Sequence, residues 1–241
     1  MESRKYNISV IVPAYNEEQT IEKAILRNIK TFRSLGIDYE IIIVDDKSID
    51  KTGEIISNIA KREENILCIH HERNTGIGGA FKTGVCHASK EYVILVPVDN
   101  PVDIEDMMAY MPMMDISDII VGLRIERMGY SIFARIASFI YNRILIPLFF
   151  NIGIGDVNWI QVYRRKLFTE GTVSYKSMGI FFFAEILIRA RRKQLIIAEV
   201  PARMKKRMYG RPSHTRFSVM FRTIMEMVSF YWIMRREDTS Q

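Results

Sequence analysis

Short β-branched runs alternate with helically spaced apolar positions through the first half of the chain. Asn7-Ile8-Ser9-Val10-Ile11-Val12 is the first run, and Pro13 is expected to end it, because proline brings no N–H to a central ladder. Thr20–Leu35 carries Ile21, Ala24, Ile25, Ile29 and Phe32 at helical intervals and closes at Gly36. Glu40-Ile41-Ile42-Ile43-Val44 is apolar without alternation, the pattern of a strand covered on both faces. Thr52–Ala60 predicts a second helix with Ser48 or Asp50 as its cap. Ile66–Ile69 and Tyr92–Val96 read as strands, with a helix opened by Gly76, Gly78 and Gly79 between them. Ile104–Met114 predicts another helix and Asp118–Arg124 a fifth strand. This order predicts an α/β fold, a Rossmann-like, mostly parallel sheet flanked by helices.

The second half is more apolar and more basic. In Gly129–Phe150, Arg135, Ser138 and Asn142 share one stripe, while Ile132, Phe133, Ile136, Phe139 and Ile140 cover the rest. Arg135, Arg143 and Pro147 argue against a bilayer span and for an interfacial helix, or one packed on the domain. Phe181–Ile188 begins a helix, and Leu195–Val200 is a strand expected to end at Pro201. Phe217–Met234 would reach only about 27 Å at ~1.5 Å per residue, short of a ~30 Å hydrocarbon core. It also carries Arg222 and Glu226 on one face, so it is read as lying on a membrane or on the domain. Residues after Arg236 are expected to lack order. The division is 1–213 as the main domain, with 129–150 as the interfacial helix within it, and 214–241 as an amphipathic helix and tail.

Composition adds a partner class. The 241 residues carry a net charge of +6, and ten basic residues between Arg189 and Arg216 face Glu199 alone. Such a segment suits an anionic partner. With no nucleic-acid motif in the chain, lipid phosphate and nucleotide phosphate come first. Cys68 and Cys86 make neither a disulfide framework nor a metal spacing, and both read as reduced core thiols of a cytosolic protein. The opening residues, with Glu2, Arg4 and Lys5 ahead of a strand, do not read as a signal peptide.

The candidate chemistry gathers at strand ends. Asp45 and Asp46 follow one buried strand and Asp99 another, the edge where open α/β sheets place ligands. Acids there can hold a hydrated divalent cation against phosphates; they can also simply terminate strands and cap helices. Gly76, Gly78 and Gly79 open their N–H groups to an anion, or, as for Gly79 and Gly84, allow close helix–sheet packing. Arg207 and Arg211, in a loop shaped by Gly210 and Pro212, suit a leaving diphosphate. Glu185 stands beside Phe181, Phe182 and Phe183.

Three segments together carry a resemblance: Ile11-Val12-Pro13-Ala14-Tyr15-Asn16-Glu17, Val44-Asp45-Asp46-Lys47-Ser48-Ile49-Asp50-Lys51-Thr52, and Asn74-Thr75-Gly76 with Ala80 and Gly84. Glu185, Glu199-Val200-Pro201 and Arg207-Met208-Tyr209-Gly210-Arg211-Pro212-Ser213 extend it to roughly residues 7–213. The chain resembles family 2 glycosyltransferases of the GT-A fold. It is most similar to the branch that moves a sugar from a nucleotide onto a polyprenyl or dolichyl phosphate, the dolichyl-phosphate mannose synthases among them. The resemblance implies an inverting transfer from a GDP- or UDP-linked sugar at the cytoplasmic membrane face. It implies nucleotide-sugar binding by Pro13, Ala14, Tyr15, Glu17, Asp45, Asp46, Asn74, Gly76, Lys82, Asp99, Arg207 and Arg211. Acceptor binding falls to Arg124, Arg135 and Ser138, and catalysis to Asp99, Glu185 and Arg207. Asp99 takes the metal position for Mg²⁺ or Mn²⁺, although Pro97 and Pro101 stand where the family pattern has further ligands. The implied partners are the donor, a polyprenyl-phosphate acceptor and a membrane surface, with a membrane subunit or a second copy of the chain also compatible. Two alternatives stand beside it: a saccharide hydroxyl as acceptor, and a degenerate, non-catalytic nucleotide-sugar-binding subunit.

Overall fold

The computed structural model describes residues 6–99, 103–127, 132–204 and 217–239. Strands β1 (Asn7–Ala14), β2 (Asp38–Asp45), β3 (Ile66–His70) and β4 (Tyr92–Leu95) alternate with helices α1 (Ile21–Ser34), α2 (Thr52–Ala60) and α3 (Gly76–His87). The chain continues through α4 (Ile104–Met114), β5 (Ile119–Arg127), α5 (Ile132–Phe139), a π-helical stretch Ile140–Leu145 and α6 (Ile146–Phe150). It ends with β6 (Gln161–Arg164), α7 (Lys166–Thr169), α8 (Phe182–Arg192), β7 (Ile197–Met204) and α9 (Phe217–Thr239). The seven strands form one sheet in the order β3-β2-β1-β4-β6-β5-β7. Only β6 runs against the others, pairing antiparallel with β4 and with β5, so β5 and β7 point the same way as β1–β4. The carboxyl ends of six strands therefore share one rim.

The sheet is covered on both faces, which is why β2 is apolar throughout: Ile41, Ile42, Ile43 and Val44 are fully buried. Val10, Val12, Ile41 and Ile43 face Ile25 and Phe32 of α1 and Ile56 of α2. Ile11, Ile42 and Val44 face the other way, onto Phe81 of α3, Phe182 and Ile186 of α8, and Phe230 of α9. Gly84 of α3 is required by this packing, since a Cβ there would lie 2.5 Å from the Ile11 side chain.

Several sequence expectations shift. Pro13 does not end β1; it pairs opposite Val44, and Ala14 opposite Asp45. On the other side, β4 stops pairing at Leu95 opposite Ile11, so no partner there misses the proline N–H. Pro201 likewise lies inside β7, where it is tolerated because β7 is an edge strand. β6 does not stand out in the sequence, because Gln161 and Arg164 break the apolar run that marks the equally short β4. Cys68 is half-buried and Cys86 exposed, so Cys86 is not a core thiol. Burial pushes the Cys68 thiol up to about 11, against the lowering effect of Ser57, with Asp45 adding to the rise. The expected disorder after Arg236 is also overturned: α9 continues helically to Thr239, its last turn held by Arg192–Asp238 at 2.7 Å and Arg189–Glu237 at 3.6 Å.

Ile132–Phe150 is, among the described residues, the helix long and apolar enough to cross a bilayer by length and composition. Ile132, Ile136, Ile140, Ile144 and Leu148 fall every fourth residue and are all exposed. The π-helical stretch turns Asn142 inward, where its amide donates to the Ser138 carbonyl at 2.9 Å and accepts from the Val157 N–H at 2.9 Å. α9 adds exposed Phe221, Met225 and Trp232.

Candidate active site

The two strand-end motifs interlock. The Asn16 N–H donates to Ser48 Oγ at 2.9 Å, and the Ile49 N–H returns to Asn16 Oδ1 at 2.9 Å. The Glu17 N–H donates to Thr52 Oγ1 at 2.7 Å, and Glu18 exchanges bonds with Asp50 and the Lys51 N–H. Asp50 also accepts from the Thr52 N–H at 2.9 Å, ahead of the first turn of α2. Asn16 and Lys47 take left-handed backbone, φ 55° and 67°. For Lys47 that conformation costs on the order of 1 kcal/mol, and the interlocked loops hold it. Tyr15, about half exposed, stands at the tip of this pair, with Pro13 half-buried and Ala14 buried beneath it.

Asp45 and Asp46 diverge from the end of β2. Asp45 Oδ1 accepts from the Ser48 N–H at 3.0 Å, and Oδ2 meets His70 Nδ1 at 3.0 Å. Burial opposes its charge, but the bonds from Ser48 and His70 win and hold the carboxyl below its ordinary range. A folded value below the unfolded one stabilises above the unfolded pKa of about 3.9 and loses that stability as pH falls through the folded value. Urea midpoints of the parent and an Asp45→Asn variant should therefore differ by a constant amount from neutral pH down to about pH 4. They should converge in stronger acid; a gap that widened on acidification would contradict the assignment.

Asp46 is anchored more fully. Its Oδ2 accepts from the Gly76 N–H at 2.7 Å, and its Oδ1 from the Thr75 N–H at 2.8 Å and Thr75 Oγ1 at 2.9 Å, with His71 Nδ1 at 2.8 Å. The Asn74 amide donates to the Asp46 carbonyl at 3.1 Å. The anion at the opening of α3 is thus the protein's own carboxylate. The Gly78 N–H is also taken, by the Met178 carbonyl at 2.9 Å, so these glycines do not offer open donors. A Cβ on Gly76 or Gly78 would lie 2.5 Å from the carbonyls of Met178 and Ser177, so the glycines let the 175–178 segment close over the helix. Lys82 stands exposed farther along α3.

Glu185 holds that same segment. Its carboxylate is buried, accepts from the Lys176 and Ser177 N–H groups at 3.1 and 2.9 Å, and pairs with Arg189 at 3.1 Å. Asp99 is half-buried just beyond β4, on the same rim as Asp46. Their strands are separated only by β1, about 10 Å at the usual strand spacing. No group of three His, Cys, Asp or Glu among the described residues is arranged to hold a metal. Asp99 brings one carboxylate to the rim, and a cation of the Mg²⁺ type takes one or two and completes its shell with phosphates and water.

Arg124 reaches the rim from β5 but is buried, its fork closed on Asp156 at 2.5 and 2.7 Å and its guanidinium 4.8 Å from the Trp159 ring centroid. Arg135 is exposed and Ser138 half-buried on α5. Arg207 and Arg211 lie outside the described residues. Three polar atoms that sequence reasoning did not single out converge between the π-helical stretch, the 156–160 loop and α9. Tyr141 Oη, Asn158 Oδ1 and Glu226 Oε2 are buried without hydrogen-bond partners among the described residues. The other oxygen of Glu226 accepts from the Gly179 N–H at 3.1 Å. No spacing in the sequence could have joined residues so far apart.

A mostly parallel seven-stranded sheet of this order, with helices on both faces and acids along one rim, is the GT-A type of α/β fold. Residues 9–172 match the model for glycosyl transferase family 2, and the chain belongs to that family. Among curated relatives, the dolichyl-phosphate beta-glucosyltransferase ALG5D of Trichomonas vaginalis is 28% identical over 211 residues, 80% of this chain and 64% of its own. ALG5A of the same organism is 35% identical over 104 residues, 41% of this chain and 32% of its own. The chain thus spans less than two thirds of the length of either. Among solved structures, glucosyl-3-phosphoglycerate synthase from Mycobacterium tuberculosis, in complex with Mn²⁺, UDP and phosphoglyceric acid, superposes with a TM-score of 0.71 at 19% identity. That match covers 94% of this chain and 78% of the other. S. aureus TarS 1–349 in complex with UDP-GlcNAc gives 0.57 at 18% identity, over 92% and 66%.

Proposed function

We propose that this protein transfers a sugar from a nucleotide diphosphate onto a polyprenyl-type lipid phosphate at a membrane surface, with inversion. The observation that carries the acceptor is the exposed apolar stripe from Ile132 to Leu148, on the helix that also bears Arg135 and Ser138. The longer curated match, to a dolichyl-phosphate glucosyltransferase, supports the same reading. Tyr15 and the interlocked loops over Asp45 and Asp46 form the nucleoside side of the rim. Asp99 would hold a divalent cation, which supplies positive charge against the diphosphate when bound.

In the reaction, an oxygen of the lipid phosphate attacks the anomeric carbon as the bond to the diphosphate breaks, and the diphosphate leaves with the bonding pair. We assign that leaving charge to Arg207 and Arg211, which follow the rim end of β7 in the chain. A phosphate acceptor is already ionised at neutral pH, so no strong base is required, and Glu185 serves to position the 175–178 segment.

The test is transfer of radiolabelled sugar from UDP- and GDP-linked donors to polyprenyl phosphate, with Mg²⁺ or Mn²⁺ present. Organic-soluble label is expected; its absence from every donor would overturn the proposal. A second reading keeps the donor and makes the acceptor a saccharide hydroxyl, with buried Glu185 as the base. Glu185→Gln separates the two. It should leave kcat within about tenfold if the acceptor is a phosphate, and lower it by roughly 10²–10⁴ if the residue must remove a proton.

A further inference from the structure

The end of the molecule away from the rim carries a second basic feature. β7 starts at that end, so α8 runs back from the rim toward it, placing Arg191 about 9 Å along the helix axis beyond Glu185. There a cleft of about 440 Å³ opens between the end of α6, the last turn of α8 and the last third of α9. Phe150, Ile188 and Met234 line its apolar part, and Arg191, Arg192 and Arg235 its polar part. Arg192 is bridged to Asp238 at the surface. Arg191 spends its Nε on the Ile152 carbonyl at 3.1 Å, and Arg235 its Nε on Tyr231 Oη at 2.9 Å. Among the described residues neither pairs with a carboxylate, while the Arg235 guanidinium also lies 5.3 Å over the Tyr231 ring centroid, so the three arginines lining the cleft share Asp238 as their one bridged acid among those residues.

A basic last turn is ordinary for a helix, because cations offset its carbonyl end. That accounts for Arg191 and Arg192 on α8, but not for Arg235 lining the same hollow of ligand size from another helix. The helices that line the cleft also carry exposed apolar side chains, Leu148 on α6 and Trp232 on α9. A ligand that fits must offer an anionic head to the arginines and apolar chains to those side chains.

We propose that this cleft binds the phosphate headgroup of an anionic bilayer phospholipid, a site separate from the acceptor's. It would dock the domain in one orientation, with Ile132–Leu148 on the lipid surface. The proposal builds on the membrane-surface reading above, but its test does not use transfer activity. The full chain is sedimented with phosphatidylglycerol–phosphatidylcholine vesicles and with phosphatidylcholine alone. Binding to the mixed vesicles should be at least about tenfold tighter and should fall by at least about tenfold in an Arg191→Gln/Arg235→Gln variant, with binding to phosphatidylcholine unchanged. Equal affinity of the parent for both vesicle types, which needs no variant, would overturn the proposal. So would a double variant that keeps its Tm and its preference for the anionic vesicles. In a thermal-shift arm, short-chain phosphatidylglycerol should raise the parent's Tm and inorganic phosphate should not; an equal rise from phosphate would make this a free-anion site and overturn the lipid assignment. Loss of transfer with headgroup binding intact would count only against the acceptor reading.

Discussion

Asp156→Ala is expected to cost the fold about 3–5 kcal/mol, because it removes the buried carboxylate on which both arms of the Arg124 fork close. The pair is fully enclosed, with side chains 4% and 0% exposed, and the fork geometry is bidentate. For a domain of this size the loss corresponds to a fall in Tm of roughly 6–20 °C, read by calorimetry. Replacing both partners, as in Arg124→Leu with Asp156→Leu, should recover most of it, since an apolar pair of similar volume carries no stranded charge. A single variant that melts within about a degree of the parent would show that the bridge holds little of the fold together. The same experiment bears on the acceptor. The resemblance assigns Arg124 to the lipid phosphate, whereas in the folded chain its fork is closed on Asp156. Weaker acceptor binding in a variant that still folds would tie the two roles together, with Asp156 as the positioning residue.

Asp99→Ala should have the opposite signature, a large loss of rate with little loss of stability. Asp99 stands half-buried past the end of β4, across β1 from the loops that hold Asp45 and Asp46. Removing one group that stabilises charge on a leaving diphosphate costs on the order of 10²–10³ in kcat. Stripping divalent metal with a chelator should cost the parent a similar factor, restored by Mg²⁺ or Mn²⁺, and should cost the variant much less. Initial rates with labelled donor check both arms. Full activity in Asp99→Ala would remove the rim acid from the mechanism.

The two carboxylates at the end of β2 show how far the motif could be read. Their residue types and strand-end position were legible, and so was their place beside the Pro13–Glu17 segment. Their division of labour was not. Asp45 is tied to Ser48 and His70, while Asp46 plugs the opening of α3. The glycines of α3 were equally ambiguous, because the same residues suit an anion site and a tight backbone crossing; the crossing partner, Met178, lies about a hundred positions away.

The periodicity of apolar residues alone determined the α/β class and the strand ends carrying acids, while for Gly129–Phe150 and Phe217–Met234 it left a membrane surface and the domain itself equally open. These follow from local rules, since burial on two faces, on one stripe or on none leaves its period in the sequence. Tertiary structure alone decided the reversed strand β6, the closing of Arg124 on Asp156, the inward turn of Asn142 and the cleft that Arg191 and Arg235 line together. Each depends on which surfaces come together after the sheet closes. A hydrogen bond or charge pair between distant residues leaves no period behind, so only the folded chain reveals it.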